Sequence, residues 1–126
     1  MQQTMKHALV ALTLLAALQF GFAQERALGG EAFDLVQQGK PACAIVIADR
    51  PSPAARLAAL EIQYHVLKIS GAEIPIRSEN EQVEGPRILV GESSATRELK
   101  LRSNDFKPQE YLIAFRPNTI LLIGRD

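Results

Sequence analysis

Residues 52–75 constrain the fold more than any other part of the chain, because both ends of one helix are written into them. Ser52 is a side-chain N-cap and Pro53 suits the first helical position, where no N–H is required. Gly71 supplies the left-handed residue at which a helix stops. Between these signals, at about 100° per residue, Leu57, Leu60, Tyr64 and Leu67 make one apolar stripe. Ala55, Ala59, Ile62, Val66 and Ile69 make a second on nearly the opposite side. An outer helix of a small domain needs one buried face, so this helix asks for two apolar partners. The expectation is that the Leu57 stripe faces a sheet of this chain and the Ala55 stripe a second body. The spacing also allows the reverse.

The remaining segments surround this helix with short strands. Residues 33–37 and 42–48 read as an opening hairpin, turning at Gln38-Gly39-Lys40-Pro41. Ile74-Pro75-Ile76 is a short extended piece suited to a sheet edge, since Pro75 cannot donate to a ladder. Residues 78–85 are polar and acidic, with Glu79, Glu81 and Glu84, and read as a solvated loop. A strand over 87–91 follows, then a short helix over 95–100 capped by Ser93 or Ser94, then a loop containing Phe106. Tyr111, Ile113 and Phe115 alternate with Leu112 and Ala114 and turn through Arg116-Pro117-Asn118-Thr119 into an apolar strand, residues 120–123. Hairpins at both ends with helices between them specify an α+β fold. It is a two-layer mixed sheet with one long and one short helix, not a fully parallel doubly wound sheet.

The ends of the chain carry their own signals. Lys6 and His7 precede an uncharged apolar run, residues 8–22, and Gly21-Phe22-Ala23 has the small residues of an export cleavage site. Residues 1–23 therefore read as a signal peptide cut after Ala23, leaving one domain, 24–126, in a secreted or periplasmic location. The run is shorter than the roughly 20 residues of a membrane span, and no membrane insertion is expected after cleavage. At the other end Gly124-Arg125-Asp126 follows a core strand and reads as the start of a connection, so a fragment of a longer protein is expected.

Little in the chain points to chemistry. Fourteen basic residues balance fourteen acidic ones, which gives no electrostatic case for nucleic acid. Cys43 is the one cysteine and lies in an apolar strand, where a buried inert thiol is expected. Glu61 and His65 share one helix side, but the second histidine of His-Glu-x-x-His is missing, so no metal role is assigned. Gly91-Glu92-Ser93-Ser94 lacks the closing glycine of a nucleophile elbow, because Ala95 stands there, and helix capping explains its serines. No dinucleotide or phosphate-loop glycine pattern is present. Glycoside hydrolysis needs two placed carboxyl groups, and Glu61, Glu73, Glu79, Glu81, Glu84, Glu98 and Glu110 identify no such pair. Phe106 is the one aromatic outside the core periodicity that could stack on a sugar. Catalytic, cofactor and metal residues are thus none, and substrate-binding residues stay open.

The order of short motifs nevertheless has a likeness. Residues 58–76, Ala-Ala-Leu-Glu-Ile-Gln-Tyr-His-Val-Leu-Lys-Ile-Ser-Gly-Ala-Glu-Ile-Pro-Ile, are followed by Gly85-Pro86-Arg87-Ile88-Leu89-Val90-Gly91. With Phe33-Asp34-Leu35-Val36, Gly39-Lys40-Pro41 and Leu121-Leu122-Ile123-Gly124-Arg125-Asp126, this resembles the N-terminal domain of bacterial alpha-glucuronidases. It is also similar to the non-catalytic domain before the barrel of beta-N-acetylhexosaminidases. The resemblance implies a zincin-like sheet without a zinc centre, then a helix and a (β/α)8 barrel that carries the catalytic carboxylates. No catalytic residue transfers to this chain under that resemblance. It implies an exported glycoside-hydrolase accessory domain whose partner is the barrel, met through Ala55, Ala59, Ile62, Val66 and Ile69, with carbohydrate as a further partner. A freestanding secreted carbohydrate- or protein-binding module is the alternative. An uncovered sheet face would leave side chains worth about 1.5–3 kcal/mol each unburied, so the isolated product is expected to self-associate.

Overall fold

Ala44–Ile47, Arg87–Val90 and Thr119–Gly124 carry consecutive apolar residues, the pattern of strands covered on both faces. The computed structural model describes residues 32–125 and places these three strands at the centre of one sheet. The expected signal peptide and its cleavage point lie outside the described residues. In chain order the elements are β1 (Val36–Gln37), β2 (Lys40–Pro41), β3 (Ala44–Ile47), α1 (Pro53–Ser70), β4 (Ile76–Ser78) and β5 (Arg87–Val90). There follow α2 (Ser94–Glu98), a 3-10 turn (Ser103–Asp105), β6 (Tyr111–Arg116) and β7 (Thr119–Gly124). The main sheet runs β4-β3-β5-β7-β6, with the first four strands parallel and β6 antiparallel to β7. The fold is α+β with a mixed sheet, as the hairpin-and-helix order required.

The opening hairpin is smaller than expected. Gln38 and Gly39 turn with φ of 49° and 74°, and β1 pairs with β2 over two residues each. Residues 44–47 then leave the hairpin and join the main sheet between β4 and β5. The reason is burial on both faces: Ile45 points to one core and Val46 to the other, which an outlying ribbon could not satisfy.

Helix α1 has the expected ends. Ser52 accepts a hydrogen bond from the Ala55 N–H at 3.1 Å, Pro53 opens the helix, and Gly71 closes it at φ 75° by donating to the Leu67 carbonyl. Its faces are the reverse of the expected assignment. Ala55 and Ala59 are buried, and Ala59, Ile62 and Val66 join the cluster built on Cys43, Ile45, Ile74, Ile88 and Val90. Leu57, Leu60, Tyr64 and Leu67 face solvent, between 38% and 59% exposed. Ile69, grouped with the inner stripe, lies beyond the sheet and is 86% exposed. Four of the five residues assigned to a second body therefore cover this chain's own strands. The physical cause is close approach. Gly91, at the end of β5 with φ 77°, leaves no room for a Cβ, which would lie 2.5 Å from the Ala55 Cβ. Only a small-residue face can sit so near the strands.

On the opposite sheet face Val46, Leu89, Leu121 and Ile123 pack with Ala95, Leu101, Phe106, Leu112 and Ala114. Sheet and long helix thus account for one face, and α2 with its flanking loops forms a thinner cover on the other. The reversed helix can be checked by urea unfolding. Gly91→Ala should lose about 1–3 kcal/mol through overpacking and left-handed strain. Leu60→Ser and Tyr64→Ser should stay within about 0.5 kcal/mol of wild type, as surface changes do.

Candidate functional site

A cleft of about 500 Å³ opens where the parallel strands end, lined by Ala48, Asp49, Arg50, Ser52, Glu79, Glu92, Arg97 and Ser103. Topology puts it there. From β3 the chain passes through α1 to β4 on one side, whereas from β5 it passes through α2 toward β7 and β6 on the other. The two connections lie on opposite sheet faces, so the loops after β3 and β5 diverge and leave a crevice between them. This is the switch point at which open sheets with parallel strands bind ligands.

The cleft is tied together by carboxylates that accept from backbone and hydroxyl groups. Glu79, just after β4, accepts from the Ser94 N–H at 2.6 Å, the Ser94 hydroxyl, and the Asp49 N–H at 3.3 Å. It thereby joins the loops after β3 and β4 to the first turn of α2. Glu92 accepts from Arg97 Nη1 at 3.3 Å and from the Ser103 N–H at 2.8 Å, fixing the 3-10 turn against the end of β5. Asp49 accepts from the Ser78 hydroxyl. Arg50 stands exposed at the rim with no ion pair among the described residues. The Ser103 hydroxyl oxygen is buried without a hydrogen-bond partner among them. Chemically the cleft offers mixed-charge hydrogen-bonding groups at fixed positions, suited to small polar molecules.

The residues singled out from the sequence take other places. Glu61 and His65 lie exposed side by side on α1, Oε2 to Nε2 3.3 Å, where the His65 ring meets Tyr64 edge-on. Among the described residues no group of three or more His, Cys, Asp and Glu side chains could hold a metal ion. Ser93 is buried as the N-cap of α2 in a reciprocal capping box with Thr96. Cys43 is buried, its thiol 3.8 Å from the Leu35 carbonyl, and burial pushes its pKa up. Phe106 packs half-buried against the second core cluster, not in the cleft. Glu81 accepts from the Ser78 N–H and pairs with Arg77, and Glu110 accepts from the Lys107 N–H. The loop over 78–85 is therefore anchored at its start, not freely solvated. The sequence signal for Glu79 was faint. An acid can complete the start of a helix whose own first turn has none, but only the fold brings position 79 to position 94.

The bonds to Glu79 favour its charged form. The Ser94 hydroxyl is the largest cause, followed by the Ser94 N–H, with Asp49 N–H and Arg97 adding, and together they outweigh burial and hold its pKa below the usual glutamate range. A lowered folded-state pKa stabilises the fold above the unfolded value, and that stability is lost as pH falls through the folded value. Denaturant midpoints should therefore fall as pH drops from about 5 toward 3. Glu79→Gln should lower the midpoint at neutral pH and flatten that acid limb. Among the described residues no helix is long and apolar enough to cross a membrane. Comparison with protein-family models, curated proteins and solved structures finds nothing that matches the chain.

Proposed function

We propose that this chain is an exported, non-catalytic docking domain of a glycoside hydrolase of alpha-glucuronidase or hexosaminidase type, holding a (β/α)8 barrel through the outer face of α1. The observation that carries this reading is the stripe Leu57, Leu60, Tyr64 and Leu67, four large apolar side chains left in solvent on a firmly capped helix. Contiguous apolar surface of this kind marks an interaction site. Its geometry suits a broad partner, because the helix presents the stripe along several turns. Lys68 lies 5.4 Å above the Tyr64 ring and leaves a polar border beside it. The sequence resemblance supplies the class of partner. The barrel contact, expected through the Ala55 stripe, belongs in this reading to the opposite one.

A freestanding carbohydrate-binding module is the second reading, favoured by the cleft with Arg50 at its rim. Calorimetric titration with uronic acids and amino sugars separates the two, since only the module would bind sugar unaided. For the docking reading, the purified product should associate with a separately purified (β/α)8 catalytic domain of alpha-glucuronidase or hexosaminidase type. Leu60→Ser/Tyr64→Ser should weaken that association by at least about tenfold, as loss of buried anchors does. Unchanged affinity in this double variant would overturn the reading.

A further inference from the structure

Strand β6 ends the sheet, and no strand among the described residues pairs with its outer edge. The opposite edge, β4, is only three residues long and follows Pro75, whereas β6 runs six residues, Tyr111–Arg116. Its backbone polarity is set by β7. Arg116 pairs with Thr119 across a two-residue turn, and the Glu110 carbonyl accepts from the Arg125 N–H. Antiparallel ladders alternate, so residues 110, 112, 114 and 116 turn their backbone groups toward β7. Tyr111, Ile113 and Phe115 turn theirs outward. The same three side chains share one sheet face and are exposed, Tyr111 at 72% and Phe115 at 73%. Long apolar edges of this kind template strand pairing.

We propose that this edge pairs antiparallel with the same edge of a second copy, centred on Ile113, to make one sheet continuous across the dimer. The choice of a second copy rests on self-complementarity. With Ile113 opposite Ile113 of the other copy, Tyr111 stands opposite Phe115 and Glu110 opposite Arg116, each pair formed twice by the two-fold axis. The outward-facing residues then exchange backbone hydrogen bonds with each other. Glu110 and Arg116 fall at the closer, non-hydrogen-bonded positions, where opposite charges attract most. The aromatic and isoleucine side chains of both copies merge on one face. Pro108 and Pro117 lie just outside the paired stretch and limit the ladder to it. A one-residue slip would lose the charge pairs and the backbone match together.

The test is sedimentation equilibrium on the product purified after expression of the full chain. Wild type should be dimeric. Arg116→Glu and Glu110→Arg should each weaken the dimer about tenfold or more, and the double exchange should restore it. Circular dichroism verifies that each variant is folded. Cys43 is buried, so Ile113→Cys introduces the one accessible thiol among the described residues and should cross-link the dimer under mild oxidation, while wild type does not. A monomeric wild type, a dimer indifferent to Arg116→Glu, or a dimer lost instead in Leu60→Ser would overturn the proposal.

Discussion

The close seating of α1 on the ends of β3 and β5 is the contact from which the rest of the arrangement follows. Ala55 meets the backbone at Gly91, and Ala59 lies fully buried one turn along the same face. Because the near face is small, Ile62 and Val66 can reach Ile45, Ile74 and Ile88 without strain. Burying the larger Leu57 stripe instead would hold the helix away from Gly91 and leave gaps that no side chain of the sheet fills. Packing density decides between two stripes that hydrophobicity alone could not rank.

That seating also shapes the cleft. It fixes Ser52 and the residues after β3 at one wall, while Glu92 and Arg97, held by β5 and α2, form the other. Glu79 bridges them by accepting from both Asp49 and Ser94. The acidic residues of a segment that reads as solvent-facing thus act as fasteners. Of these, Glu79 reaches the cleft because β4 lies beside β3 in the sheet, a property of strand order and not of local composition.

Among the described residues two apolar surfaces stand out as exposed, and they differ in kind. The outer stripe of α1 offers side chains only, since a helix satisfies its own backbone. The β6 edge offers backbone donors and acceptors as well as aromatic side chains, so its partner must be an extended strand in a set register. A broad folded body suits the first surface, and an equivalent edge suits the second. The two proposed attachments use different groups.

Local rules determined much of this protein. The span of α1, its Ser52 and Gly71 caps, the capping of α2 by Ser93, the closing hairpin and the α+β class all rest on residues near one another in sequence. Short-range hydrogen bonds and backbone preferences decide such features. Tertiary structure decided which stripe of α1 is buried, that residues 44–47 leave the opening hairpin for the centre of the sheet, and that Glu79 and Glu92 line a common cleft. Each depends on contacts between residues far apart in the chain, where the shape of the partner surface outweighs the apolar pattern. Gly91 is the clearest case. Its identity is plain in the sequence, but its consequence for Ala55 exists only once helix and strand meet.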